Sequence, residues 1–202
     1  YLEPYIKRKK PAVIALHYSS YNLLHLSMLL VLVFRNGFAF LVAWELMAVA
    51  SFLLILFEGE ILTTLKTAVN YLIQMHIGFV FILIAILIFS NSTGSMSFDS
   101  LADYFKYNEN IGLFALFFIG FSVKAGVIPL HTWLPEAHPA APSHVSGTMS
   151  GVMIKMGIYG IIRILSYIQY DLYSIGMFIL IIAAISGLLG VIMAIVQHDI
   201  KK

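Results

Sequence analysis

Six apolar stretches of about twenty residues follow one another along this chain of 202 residues, and short polar segments separate them. An α-helix rises about 1.5 Å per residue, so a stretch of this length crosses the roughly 30 Å of hydrocarbon in a bilayer. The pattern therefore predicts an all-α membrane protein with six spans, at residues 13–34, 37–57, 69–90, 111–130, 143–168 and 172–197.

The polar segments predict how the spans are connected. Arg35-Asn36-Gly37 is typical of a tight turn, and Glu58-Gly59-Glu60 of a charged one. The longest connection, 91–110, contains apolar residues spaced as on one face of a short helix: Phe98, Leu101, Ala102 and Phe105. We expect this piece to lie flat at the membrane interface.

Two spans depart from a purely apolar pattern, because each contains a lysine well inside it, Lys124 and Lys155. A lysine at a helix centre costs roughly 2.5–3.5 kcal/mol on insertion scales and persists mainly beside a bundle interior or a wet cavity. Gly126 and Pro129 follow Lys124, and proline removes a helical hydrogen bond. The segment therefore predicts a discontinuous helix whose freed backbone groups face protein or water next to Lys124.

Glu45 is the third candidate for an ionisable side chain inside the membrane. It lies about 12 Å along the second span from Gly37, beyond the reach of its side chain to the headgroups. Either it is protonated and hydrogen-bonded within the bundle, or it pairs with a lysine from a later helix. The two lysines favour the second alternative. A purely passive anchor would not explain three such charges, whose combined insertion cost is on the order of 8–10 kcal/mol.

Histidines surround these charges. The turn between the two lysines contains His131, His138 and His144, and the third span contains His76. The His-x6-His and His-x5-His spacings match no common zinc pattern, so we predict no metal site. We expect the three turn histidines to form a hydrated proton entrance; a rigid turn with incidental histidines is the alternative. His76 is either a packing residue or part of a proton relay.

Two polar stripes run along helices in this pattern. His144, Thr148, Gly151 and Lys155 would share one face of a regular α-helix, which would lead from the entrance turn to the second lysine. In the first span His17, Tyr21 and His25 also share a face. Packing against neighbouring helices is the favoured interpretation of this second stripe, with proton access as the alternative.

Composition narrows the function. Hydrophobic residues make up 60% of the chain and charged residues 11%, and the net charge of +2 gives no reason to expect nucleic-acid binding. Without cysteine, the chain itself has no disulfide, thiolate-bound iron–sulfur cluster or thiol catalysis. We predict no cofactor site. The chain begins at Tyr1 without a signal-peptide pattern, and we expect an internal piece of a longer membrane protein.

Loop charges predict the orientation of the spans. One side of the membrane receives Lys7, Arg8, Lys9, Lys10, Lys66, Lys201 and Lys202. The other side receives only Arg35, Lys106 and Arg163. We therefore expect both ends and the histidine turn to face the cytoplasm.

Three sequence blocks carry a family resemblance: WELM, VKAG-PLH-WLPEAH-AAPS and SGVMIK-GIYG. From about Ala39 to Lys202 the chain resembles the antiporter-like, proton-translocating membrane subunits of respiratory complex I. It is most similar to the large membrane subunit of energy-converting NiFe hydrogenases of the formate-hydrogenlyase type. The Mrp cation/proton antiporters are also similar.

The resemblance implies two inverted five-helix repeats. Residues 13–168 would be the first repeat, 169–202 the opening helix of a second, and 1–12 a cytoplasmic linker. WELM identifies Glu45 as the family's glutamate, VKAG identifies Lys124 as the lysine of the discontinuous helix, and MIK-GIYG identifies Lys155 as the lysine of the next helix.

The expected function is therefore proton translocation through Glu45, Lys124 and Lys155 in a non-redox membrane subunit of an oxidoreductase complex. That complex would be related to NADH-quinone oxidoreductase or hydrogenase. Its expected partners are other membrane subunits, lipid and protons, in the inner membrane of a prokaryotic cell. A Na⁺/H⁺ antiporter subunit of the Mrp type is the alternative.

Overall fold

The structure is a computed structural model that describes residues 9–58, 61–107, 111–170 and 172–197. Within these ranges it is helical, and the only extended pairing is an isolated bridge between Asn36 and Ser97. The helices are α1 (Pro11–Val33), α2 (Gly37–Ile55), α3 (Leu62–Thr93), α4 (Ser100–Tyr107), α5 (Ile111–Ala125), α6 (Leu134–Ala140), α7 (Ser143–Leu165) and α8 (Leu172–Val196). The predicted all-α class is confirmed.

Five of these helices, α1, α2, α3, α7 and α8, are long and apolar enough to cross a membrane. The remaining predicted span, 111–130, corresponds to α5, which has only 15 residues because the helix ends at Ala125. The third span begins at Leu62, earlier than the predicted start at residue 69, because no glycine or proline interrupts residues 62–69. Most of the expected linker at 1–12, part of the Glu58-Gly59-Glu60 turn and the last five residues lie outside the described residues.

Local chemistry sets the helix ends. Pro11 occupies the first turn of α1, where its missing N–H costs nothing. The Asn36 side chain accepts hydrogen bonds from the backbone N–H groups of Phe38 and Ala39, and so caps α2. Gly94 ends α3 in a left-handed conformation with φ of 70°.

The predicted amphipathic helix exists as α4, but its apolar face packs against protein. Phe98, Leu101 and Phe105 are buried in the core. Two backbone hydrogen bonds fix the segment to the α1–α2 turn, from Phe98 N–H to the Arg35 carbonyl and from Gly37 N–H to the Met96 carbonyl. The position of α4 at the membrane interface stays a prediction.

Helix α5 lies at the centre of the bundle, packed against α3 and α7. Its contact with α3 depends on two facing glycines: a Cβ on Gly120 would lie 2.7 Å from the Gly78 carbonyl oxygen. On its other side, a Cβ on Gly157 of α7 would lie 2.6 Å from the Ala125 nitrogen. These close approaches hold the end of α5 against both neighbours.

Arg163 in the last turn of α7 joins that helix to α1. Its guanidinium donates to the Phe34 carbonyl at 2.7 Å and lies 4.3 Å from the centre of the Phe98 ring. A cation is favourable beside the carbonyl groups that end a helix. Arg163 thereby satisfies carbonyl groups at the end of α1 and links the ends of α1 and α7.

Gly157→Ala should destabilise the protein, whereas Gly147→Ala should not. Both substitutions gain up to about 1 kcal/mol of helix propensity. Only the Gly157 methyl meets backbone within contact distance, while nothing lies within 4 Å of a Cβ at Gly147. Overpacking of this kind costs about 1–3 kcal/mol. Thermal unfolding of the two variants in the same detergent measures the difference; equal melting temperatures would mean that the α5–α7 contact is not tight.

Candidate functional site: a buried lysine at a helix break

Lys124 lies in the last turn of α5, and only 1% of it is exposed. Its Nζ sits 4.8 Å from the centre of the Trp44 ring of α2. Among the described residues the amine has no hydrogen-bond partner. A cation–π contact with a desolvated tryptophan is worth on the order of 2 kcal/mol, far less than water offers an ammonium ion. The site can therefore hold the amine, but it favours the charged form weakly.

The helix break follows Lys124 directly. Helix α5 ends at Ala125, and Gly126 adopts the left-handed conformation with φ of 70°. Pro129 lies in the turn beyond it rather than inside the helix. The carbonyl of Val123, freed by the break, accepts a hydrogen bond from the Trp133 indole N–H at 2.8 Å. Protein groups thus satisfy part of the backbone that the break exposes, as its position in the membrane requires.

Glu45 lies beside Trp44 on α2, and its ion-pair contact is with His76 of α3. The distance from His76 Nε2 to Glu45 Oε1 is 2.8 Å. The approach is close but not a well-aligned hydrogen bond, and neither carboxylate oxygen has such a bond with any described residue. Glu45 also interacts electrostatically with Lys124. No described contact within 4 Å joins the two, so the expected direct pair stays a prediction.

Lys155 is exposed on the surface of the described bundle. Its Nζ donates a 2.6 Å hydrogen bond to the carbonyl of Ser150. Ser150 belongs to a π-helical turn, Met149–Met153, that interrupts α7. The amine is therefore held by its own helix, and no described residue from another helix pairs with it.

The predicted single face from His144 to Lys155 was wrong. The π turn contains one more residue than an α-helical turn, which rotates the residues after it by about 100°. His144 and Thr148, before the turn, face α1, whereas Lys155, after it, faces outward. Sequence periodicity assumed 3.6 residues per turn throughout, and nothing in the local sequence signals a π turn.

The two polar stripes contact each other where α1 packs against α7. His17 Nε2 lies 2.8 Å from His144 Nε2, and the Tyr21 hydroxyl lies 2.9 Å from the Thr148 hydroxyl. Both pairs combine residues four apart on α1 with residues four apart on α7. This matched spacing was the signal in the sequence that could have paired the two stripes. Packing against neighbouring helices was the favoured interpretation of the α1 stripe, and the structure shows that its polar partner is the stripe on α7.

The other turn histidines do not converge with His144. His138 is buried, and its Nδ1 lies 2.9 Å from the Ser146 hydroxyl. His131 has a buried Nδ1 without a described partner. Beside it, Thr132 donates to Gln74, which donates to Asn70 of α3. In the described part of the chain, no three metal-ligating side chains cluster.

Comparison with known proteins identifies relatives of this arrangement. Residues 35–202 match the family model described as NADH:quinone oxidoreductase/Mrp antiporter, TM. The chain is 40% identical over 189 residues to hydrogenase-4 component B of Escherichia coli strain K12, which covers 90% of the chain and 27% of that protein. The chain thus spans about a quarter of the length of this curated relative.

Two solved structures resemble the fold. One is an archaeal respiratory membrane complex, the membrane-bound sulfane sulfur reductase, with TM-score 0.66, 29% identity and coverage of 73% of this chain and 24% of that one. The other is respiratory complex I from Thermus thermophilus, with TM-score 0.75, 20% identity and coverage of 92% and 40%. The second likeness shows the fold alone.

The His17–His144 contact should stabilise the α1–α7 interface. His17→Phe keeps a ring beside Phe57, whose centre lies 4.3 Å from that of His17, but removes the hydrogen bond. A double-mutant cycle of His17→Phe with His144→Phe should show a coupling of about 0.5–1.5 kcal/mol in the free energy of unfolding. His25→Phe, which lacks a partner on α7, paired with His144→Phe is the control and should be additive.

Proposed function

Because the chain belongs to the membrane family of NADH:quinone oxidoreductases and Mrp antiporters, we propose that it translocates protons within a redox-driven respiratory or hydrogenase complex. The chain is an integral, multi-pass membrane protein with an antiporter-like fold. The observation that carries the proposal is Lys124: a buried amine next to a helix break, without a hydrogen-bond partner in the described part of the chain. A structural lysine would have an acceptor.

The proposed relay begins at Glu45 and Lys124. The desolvated amine keeps its proton more readily when a carboxylate is near and less readily when it is far. The two groups already interact electrostatically without contact. A small movement of the Glu45 side chain therefore changes the proton affinity of Lys124. On the lysine side, α5 ends at Ala125, so no helical hydrogen bonds continue past that residue.

Lys155 is the proposed next carrier, and His131, His138, His144 and His76 are the proposed access and relay groups. The exposed Lys155 amine has an apolar surface around it, with Val152 and Ile158 among its exposed neighbours on α7. A charged amine there needs protein or water opposite it. We propose that a further helix of the same protein, or another membrane subunit, supplies that surface and receives the proton.

Two parts of the proposal concern the wider setting. Electron transfer would occur in other subunits, since we expect no redox cofactor in this chain. The membrane would be the inner membrane of a prokaryotic cell. The family also includes Mrp antiporters, so a Na⁺/H⁺ antiporter subunit is the second candidate. Transport in sealed vesicles that requires Na⁺ would favour this candidate over proton translocation alone.

Lys124→Met should abolish proton uptake by proteoliposomes that contain the intact complex, while assembly persists. Methionine replaces the aliphatic part of the lysine side chain and lacks only its terminal amine, and replacing an unpaired buried charge by an apolar group does not cost folding stability. Lys66→Met, at an exposed position of α3, is the control and should retain uptake. Normal uptake in Lys124→Met would refute the proposed relay.

Lys155 should need a titratable amine and not only a positive charge. Arginine keeps the charge but does not release its proton, because its pKa is above about 12. Proton uptake in Lys155→Arg should therefore fall nearly as far as in Lys155→Ala, with the complex assembled in both. Full uptake in the arginine variant would assign Lys155 a structural role. The exposed Lys66→Arg variant controls for general effects of the substitution.

A further inference from the structure

The proton positions on His76 can be deduced from its neighbours. Its Nδ1 lies 2.9 Å from the backbone carbonyl of Leu72, four residues earlier on α3. A carbonyl oxygen only accepts hydrogen bonds, so Nδ1 carries a proton. The other ring nitrogen, Nε2, is the atom that lies 2.8 Å from Glu45 Oε1. The state of this contact therefore depends on a single further proton.

That proton decides whether the contact is attractive. With it, the pair is either an imidazolium beside a carboxylate or a neutral imidazole beside a carboxylic acid, and both hold together. Without it, a nitrogen lone pair faces an ionised carboxylate, which is repulsive at this distance. When this proton leaves the pair, the contact that holds Glu45 at His76 is therefore lost.

Lys124 is a second candidate partner for Glu45. Trp44 and Glu45 are successive on α2, so their side chains diverge by about 100°. Trp44 covers the Lys124 amine, and Glu45 turns toward α3. Glu45 Oε2 and Lys124 Nζ are both buried and both lack a hydrogen-bond partner among the described residues. The carboxylate oxygen is a hydrogen-bond acceptor and the amine is a donor, and the two groups interact electrostatically.

We propose that His76 and Lys124 are alternative partners of Glu45, and that His76 determines which of them holds the carboxylate. This inference rests on the proposed function and deepens it, because it assigns the control of the Glu45–Lys124 pair to a third residue. His76 acts through Glu45 and is a positioning residue. While the shared proton is present, Glu45 stays at α3 and Lys124 is unpaired; when it leaves, Glu45 pairs with Lys124.

Among the described residues, few titratable or charged groups interact with Glu45. Helix α2 contributes Glu45, and α5 contributes Lys124. On α3 itself, the buried Tyr71 also interacts electrostatically with Glu45, and its hydroxyl is engaged by Ser51 and the Met153 sulfur. Tyr71 thus adds a fixed dipole near Glu45 but has its own partners. Competition for the carboxylate is between His76 and Lys124.

The test measures how strongly Glu45 and Lys124 are coupled when His76 is present or absent. Glu45→Gln and Lys124→Met are combined in a double-mutant cycle on the melting temperature of the full chain in nanodiscs. In the His76→Phe background, Glu45 has lost its competing partner. The non-additive part of the shift in melting temperature should then grow by about 2–4 °C, the change expected for a modest gain in coupling at this protein size.

Two further variants make the outcome specific. His76→Gln restores a side-chain N–H donor, and the coupling should return toward its original value. His25→Phe is the matched control, because His25 is also exposed and its Nδ1 lies 2.8 Å from the carbonyl four residues earlier, yet it has no carboxylate partner among the described residues. Its background should leave the coupling unchanged.

An unchanged coupling in the His76→Phe background would overturn the inference, as would an equal change in the His25→Phe background. A merely structural role of His76 would lower stability without strengthening an interaction between two other residues. The result is also separable from the proposed function. The coupling is measured on stability, whereas proton translocation fails as a proposal only if Lys124→Met retains proton uptake.

Discussion

A lysine amine in an apolar interior, without a hydrogen-bond acceptor among the described residues, is the constraint on which the centre of this structure depends. The face of Trp44 and the electrostatic interaction with Glu45 are what stabilise the charged form of Lys124 in the described part of the chain. A group so weakly held exists in a folded protein only because the surrounding bundle is fixed by other contacts. Its proton affinity then becomes sensitive to any charge that approaches or withdraws, which is the property that a proton carrier needs.

The rigid and the deformable parts of the site meet at this residue. Before Lys124, α5 is fixed by the Gly78–Gly120 approach to α3, and Gly157 of α7 sits against its last residue, Ala125. After Ala125 the helical ladder ends, and Gly126 turns the chain. The amine is thus anchored on one side by backbone packing. The segment beyond it is held by individual hydrogen bonds instead of a helical ladder, including those from Val127 N–H to the Ser122 carbonyl and from the Trp133 indole to the Val123 carbonyl.

The sequence was sufficient to predict the helices, the break and the burial of Lys124, because each rests on a local rule: span length, the geometry of glycine and proline, and the cost of burying a lysine. It was insufficient for partners. That Glu45 meets His76, and that His17 meets His144, depends on how helices rotate against each other. The π turn in α7 shows why, since one extra residue turned Lys155 away from His144 without any sign in the local sequence.

The three charges also differ in how much of their environment this chain supplies. Lys124 is enclosed, the oxygens of Glu45 are enclosed although part of its side chain is exposed, and Lys155 is exposed. Lys155 donates a hydrogen bond to the Ser150 carbonyl of its own helix, and this bond does not depend on a neighbouring helix or subunit. A carrier that is satisfied internally tolerates an exposed position until an acceptor is brought to it. This gradient from enclosed to exposed gives the proposed transfer its direction, from the interior of the bundle toward the surface around Lys155.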